Sequence, residues 1–453
     1  MSNGPLIELI SKSQLDADIL DENNNSSLFK YEFNKKNKYA KGDTFFYPEG
    51  KANWGNTIRF IIEKKGDLLY GLYLIIKLPK ISISKLNIVP QPDENDTTSP
   101  YRVKYSDYIG NVLIDKVSLY INGQLIDEQH GDYMQVYIDL YMSDINRKTM
   151  LGMDDTFNKP NLKINSEYIY IPLKFWFCQN NDKPLPLIAM QKSEIYIDVT
   201  FKQFSNCIVV LEYDGTKTKL YHTDYKHADV LFEDTYLQAN FYYVDAVERK
   251  ELATKEYEIL ITQSQLRTTN ITSTAILQLD FNHIVKDIIF FIQPEKNKKY
   301  GEYFNFSAKM YYLPIELYNM PINNALWDLE PKRHLLSRAR LLLNGTERIQ
   351  WHDYKYFYFM QNHENYRNNI QHYIYMYSFN INPTKDTNFN GCNFSRIDNA
   401  QLQVEIKPNS FLLNNILPSI LYPNNTNYEL KCYATNYNLL IIKNGLASVK
   451  YSN

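Results

Sequence analysis

The chain has 453 residues, a formal net charge of −2, and 44% hydrophobic and 22% charged residues. That length suggests two or three domains, and the near-neutral balance removes the global basic field that nucleic-acid binders carry. Four cysteines without a CxxC pair (Cys178, Cys207, Cys392, Cys432) exclude a disulfide scaffold, and no apolar run approaches the ~20 residues of a membrane-spanning helix.

Residues 1–40 are polar and Asn/Lys-rich and read as an N-terminal arm. Their first twenty positions lack a basic stretch followed by a long apolar one, so the expectation is no signal peptide and synthesis in a reducing compartment. The basic runs Lys35–Lys38 and Lys296–Lys299 read as solvated loops. From there the 39 Tyr and 23 Phe favour pleated, half-buried surfaces. Leu68–Leu78 reads as a strand stopped by Pro79. Val117–Ile121 and Gln124–Asp127 flank Asn122–Gly123, a two-residue hairpin turn in which both positions want positive φ. Tyr168–Phe177 and Glu194–Phe201 are further β runs, and Glu248–Ala253 is a short helix at mid-chain.

A tandem repeat emerges from these runs. SLYINGQLIDEQHGDY (Ser118–Tyr133) has a counterpart in RLLLNGTERIQWHDY (Arg340–Tyr354), with Asn344 offset from Asn122 by 222 residues. Asp67 and Asp287 open similar runs at an offset of 220, Tyr168–Tyr170 matches Tyr373–Tyr375 at 205, and Ser193–Val199 matches Ala400–Ile406 at 207. Four matches in one order predict an all-β protein with two tandem sandwich domains, 41–252 and 253–453.

Catalytic chemistry finds little support. The eight histidines (His130, His222, His227, His283, His334, His352, His363, His372) form no HExxH and no zinc-spaced cluster. GxxxxGKS/T, GxGxxG and GxSxG are absent. Sequons at Asn24, Asn25, Asn95, Asn270, Asn305, Asn344, Asn393 and Asn424 read as chance products of an Asn-rich chain, Asn344 being a turn residue.

Five blocks carry a family pattern. They are GDLLYGLYLIIKLP (Gly66–Pro79), YSDYIGNVLIDKVSLYINGQLID (Tyr105–Asp127) and IPLKFWFCQNNDKPLPLIAMQ (Ile171–Gln191), then SFNINPTKDTNFNGCNFSRIDNAQL (Ser378–Leu402) and NYNLLIIKNGLASVKYSN (Asn436–Asn453). Together they resemble the major capsid proteins of the nucleocytoplasmic large DNA viruses, the group of iridoviruses, chlorella viruses and mimivirus relatives. The chain departs from the pattern at Lys192–Ser193, Phe389–Asn390 and Ile441–Lys443.

The resemblance implies a double jelly roll that trimerises into a pseudo-hexagonal capsomer tiling an icosahedral shell. Its implied partners are two further copies, neighbouring capsomers and minor capsid proteins, with arm 1–40 a candidate contact to an internal viral membrane. No direct nucleic-acid contact, catalytic residue, cofactor or metal is implied. The implied place is the virion capsid, assembled in the host cytoplasm. Phe175, Trp176, Phe177, Leu185, Pro186 and Leu187 are the candidate assembly or loop-anchor residues of the first roll. Asn393, Phe394, Arg396 and Asp398 are those of the second; Arg396 and Asp398 share a face if that segment is a strand. Two other roles stand beside this one: a double jelly-roll scaffold shaping immature virions, and a carbohydrate-binding β-sandwich.

Overall fold

The computed structural model describes residues 39–85, 98–142, 150–153, 157, 159–179, 183–213, 218–221, 230–299, 301–308, 313–314, 333–370, 372–384, 390–407 and 427–451. Most of the arm (1–38), the run Lys35–Lys38, His222, His227, Phe389 and the sequons at Asn24, Asn25, Asn95 and Asn424 lie outside the described residues, as does part of the loop Asp214–Asp234.

Among the described residues the first half contributes thirteen strands. They are β1 (Tyr39–Phe46), β2 (Thr57–Ile61), β3 (Leu68–Leu78), β4 (Ile81–Ser82), β5 (Tyr101–Tyr105), β6 (Ile114–Ile121) and β7 (Gln124–His130). There follow β8 (Lys163–Ile164), β9 (Glu167–Pro172), β10 (Ile195–Phe201), β11 (Ile208–Tyr213), β12 (Thr218–Tyr221) and β13 (Asp234–Val244). The second half supplies β14 (Tyr257–Ile271), β15 (Thr274–Gln278), β16 (Ile284–Pro294), β17 (Leu313–Pro314), β18 (Leu336–Leu343) and β19 (Thr346–Asp353). It ends with β20 (Tyr375–Ser378), β21 (Cys392–Asn393), β22 (Ala400–Ile406), β23 (Tyr428–Lys443) and β24 (Leu446–Val449).

Two sheets, β1-β13-β3-β9 and β2-β10-β6-β7, make the first sandwich, and β14-β23-β16-β20 with β15-β22-β18-β19 make the second. Taking the eight main strands of each half in chain order, the first, eighth, third and sixth form one sheet and the second, seventh, fourth and fifth the other. That is the jelly-roll arrangement, twice over. The repeat seen in the sequence is therefore a repeat of strands. Its matched segments fall on the third strand, the hairpin of the fourth and fifth, the region of the sixth, and the seventh. The two hairpins agree in detail. Asn122 and Asn344 both have positive φ (52° and 48°), and their amides donate to Glu194 O at 2.9 Å and Asn399 O at 2.7 Å, each just before the seventh strand.

Alternation explains the layers. β13 buries every second residue, and β10 and β22 alternate likewise, with one face on a core and one turned outward. β16 is buried at every position after Ile284, so both faces of its sheet are covered. A helix over Ala246–Thr254 joins the rolls; Asp245 caps it by accepting from Val247 N and Glu248 N at 3.0 and 2.9 Å. Its Arg249 reaches back to the buried carboxylate of Asp67 at 2.8 Å. A small sheet, β17-β12-β11-β5, draws strands from both halves and so bridges them.

Two local expectations need correction. The run Tyr168–Phe177 is a strand only to Pro172; the chain then turns into a short helix, Trp176–Gln179, with Phe175, Trp176 and Phe177 all buried. The run Lys296–Lys299 is not a loop but part of a short helix (Glu295–Lys299), in which Lys298 pairs with Glu429.

Candidate functional site: the seam between the rolls

The fifth strand of the first roll, β7, runs straight into helix α1 (Gly131–Tyr141), buried from Gly131 to Leu140. Only glycine fits its first position: a Cβ on Gly131 would lie 2.2 Å from Asn111 O and 2.5 Å from Ile114 O. One side of α1 thus sits directly on its own roll. The other side meets the outer face of the second roll's sheet β14-β23-β16-β20. In that sheet Ile288, Phe290, Leu430 and Cys432 point into the second roll's core, while Ile289, Phe291 and Tyr433 join an apolar cluster continuous with the first roll. Tyr133 packs on Tyr433 with ring centres 5.4 Å apart, and Phe291 stacks on Phe306 at 4.0 Å.

Buried polar pairs punctuate this apolar seam. Asp132 meets Lys431, Asp139 meets His372, and Asp287 accepts from the hydroxyls of Tyr141 and Tyr366. Burial alone would raise the Asp132 pKa, but the attraction of Lys431 outweighs it and holds the carboxyl near 2. Asp127 differs. Burial lifts its pKa to about 6, although Ser264 N donates to it at 2.8 Å and Gln129 Nε2 at 2.7 Å. Beside it a cavity of about 430 Å³ lies between the rolls, lined by Asp127, His130, Ser264, Arg267 and Tyr433 among others.

A second clamp joins the rolls at the C-terminal hairpin. Ser193 Oγ accepts from Ala447 N at 2.9 Å, Lys192 N donates to Gly445 O at 3.0 Å, and Asn122 Nδ2 donates to Ala447 O at 3.0 Å. Lys192–Ser193 thus bond the tip and second strand of this hairpin, and Ile441–Lys443 pair with Leu446–Ser448 as its first strand.

The candidate residues read from sequence are placed differently from one another. Phe175, Trp176, Phe177, Leu185, Pro186 and Leu187 are all buried within the chain. Leu185 exchanges two backbone hydrogen bonds with Leu69, at 2.8 and 2.9 Å, pinning this block to the start of β3. In the second roll Phe394 is buried, Asn393 Oδ1 accepts from Ser395 N at 3.1 Å, and Arg396 and Asp398 are exposed. Phe394–Arg396 is a 3-10 turn, so strand alternation does not put Arg396 and Asp398 on a shared face. The seam residues Asp127, Asp132, Asp139, Ser264, Asp287, His372 and Lys431 were missed. Only Tyr133, Tyr137 and Tyr141, spaced four apart, signalled the helix that organises them.

Burial pushes the Cys207 thiol up to about 12 and raises Cys432 further, so neither is a nucleophile at neutral pH. Among the described residues no three His, Cys, Asp or Glu side chains converge to hold a metal.

Two family models match end to end. Residues 27–247 match "Major capsid protein N-terminus", and residues 248–448 match "Large eukaryotic DNA virus major capsid protein". A major capsid protein of Phaeocystis pouchetii virus is 25% identical, covering 99% of this chain and all of its own length. That of Paramecium bursaria Chlorella virus 1 is 24% identical over the same shares. Among solved structures, PBCV-1 VP54 superposes with a TM-score of 0.74 at 22% identity, covering 94% of this chain and 100% of its own. The Faustovirus major capsid protein gives 0.66 at 11% identity, covering 95% and 94%.

Proposed function

The chain belongs to the family of large eukaryotic DNA virus major capsid proteins, and on that premise we propose that three copies form a pseudo-hexagonal capsomer tiling an icosahedral shell. The observation that carries this reading is a pair of like rolls locked by a buried seam. One chain then offers two similar edges, and three chains offer six, which lets a three-fold object occupy a six-fold lattice site. A cyclic trimer uses heterologous contacts, one surface meeting a different surface of the next copy.

The reading assigns a structural role, with no reaction and no cofactor. It divides the chain into arm 1–40, roll 41–252 and roll 253–453. Exposed Arg396 and Asp398 are contact points for neighbouring capsomers, and the buried FWF and LPL blocks hold the loops in shape. Minor capsid proteins and an internal membrane would lie beneath, the latter reached by the arm, with assembly in the host cytoplasm.

Quantitative mass spectrometry of purified mature particles tests the role. The expected result is this chain as an abundant shell component. Its presence in immature particles and loss from mature ones would replace the shell role with that of a temporary scaffold.

A further inference from the structure

We propose that the contact between β7 and β14 is a proton-operated clasp between the two rolls, closed when Asp127 is protonated and loosened when it ionises. The clasp lies within one chain, so it does not depend on how many copies assemble.

β7 and β14 are edge strands of different rolls, each the last of its sheet. Two such edges can meet by exchanging backbone hydrogen bonds. Here they do not pair in that way, and side chains make the contact instead. Gln263 Nε2 donates to Ile126 O, and Ser264 Oγ donates to Glu128 O at 2.7 Å. In the other direction the Asp127 carboxylate accepts from Ser264 N at 2.8 Å. Asp127 is thus the first-roll side chain that ties the two edges together.

Among the described residues no cation pairs with that carboxylate, and the charged groups of the elements around it are engaged elsewhere. Glu128 of β7 pairs with Lys116 of β6 at 3.0 Å, and Asp132 of α1 meets Lys431 of β23. Arg267 of β14 donates to Leu266 O at 2.9 Å and to Asp280 O. Asp287 of β16 is held by Tyr141 and Tyr366. Burial lowers the proton affinity of His130 and keeps the phenols of Tyr133 and Tyr433 neutral. Ionised Asp127 is therefore favoured where the strands part and water reaches it, and protonated Asp127 where they stay closed. The cavity of about 430 Å³ beside it leaves room for that parting.

The sign follows from the folded pKa of about 6 against the ordinary 3.8: the clasp is tight in acid and loosens as pH rises through 6. Other fastenings differ. Asp132 and Lys431 keep their charges from pH 5 to pH 7, and Ser193, Asn122 and backbone groups hold the C-terminal hairpin without titrating. For a shell built of this chain, that sign makes its tiles firmer in an acidic compartment than at neutral pH.

Hydrogen exchange of the purified chain at pH 5 and pH 7, corrected for intrinsic amide exchange, tests the clasp. With Asp127 in water in the open form, the opening constant rises about ten-fold between the two pH values. Protection in β7 and in Gln263–Thr268 should fall by that factor, while Leu446–Val449 keeps its protection. Asp127→Asn, which cannot titrate, should abolish the difference. Should that variant misfold, a pH series on wild type decides, with protection in β7 falling around pH 6. His130 would give the opposite sign, because a pKa lowered by burial makes protection rise with pH. Equal protection at both pH values, protection that rises with pH, or a ten-fold fall that persists in Asp127→Asn would overturn the clasp. None of these outcomes touches the trimer reading.

Discussion

Asp132, the second residue of α1, places its carboxylate against the Lys431 ammonium in the middle of the second roll's sheet, 299 residues further along the chain. Both side chains are almost wholly buried. Lys431→Met would leave that carboxylate buried without a partner, at a loss of about 3 kcal/mol. The expected readout is a clear fall in urea midpoint. A variant as stable as wild type would show that the pair contributes nothing net.

The same pair sets an acid limit. The Asp132 pKa in the folded chain is near 2, below its ordinary 3.8. Its stabilisation is therefore complete above about pH 4 and is lost as pH falls from 3.8 toward 2, amounting to roughly 2 kcal/mol. Urea titrations between pH 2 and 5 should show that slope in wild type and lose it in Lys431→Met.

Asp127 works in the opposite direction. Its folded pKa of about 6 lies above the ordinary 3.8, so the folded chain binds the proton more tightly. Stability from this group falls as pH rises from about 4 through 6, by on the order of 3 kcal/mol. In Asp127→Asn the difference between melting temperatures at pH 5 and pH 7 should shrink. An unchanged difference would mean that Asp127 is not the group responsible.

Gly131→Ala should be far more harmful than Gly123→Ala. At Gly131 the new methyl meets two backbone carbonyls, whereas at Gly123 it meets open space and only the positive φ of 78° opposes it. We expect a loss of at least about 2 kcal/mol in the first case and about 1 kcal/mol in the second. Soluble yield and thermal melting of the two variants give the comparison.

These positions also mark where sequence reading stops. The Asn-Gly turns, the Leu68–Leu78 strand and the linker helix were legible because their signals are local. Repetition carried the rest of the fold, since both copies of each strand answer to the same inward-outward alternation. The seam was not legible. Asp132 and Lys431, or Asp139 and His372, are polar residues whose burial depends on a neighbouring domain, and no local pattern separates them from solvated ones. The FWF and LPL blocks stood out as candidate assembly or loop-anchor residues, and their side chains are buried in the first roll.

The C-terminal hairpin offers a sharper local test. Ser193→Ala removes the acceptor for Ala447 N, and should lower stability by about 1 kcal/mol. Hydrogen exchange at the Ala447 amide should quicken by about ten-fold, with exchange in β10 and β22 unchanged. Equal protection in both proteins would mean that the hairpin is held by its other contacts alone.

Size-exclusion chromatography with light scattering on the purified wild-type chain tests the central claim most directly. A trimeric capsomer gives a single species at three times the chain mass of 53.6 kDa. A stable species at 53.6 kDa across the micromolar range would contradict it.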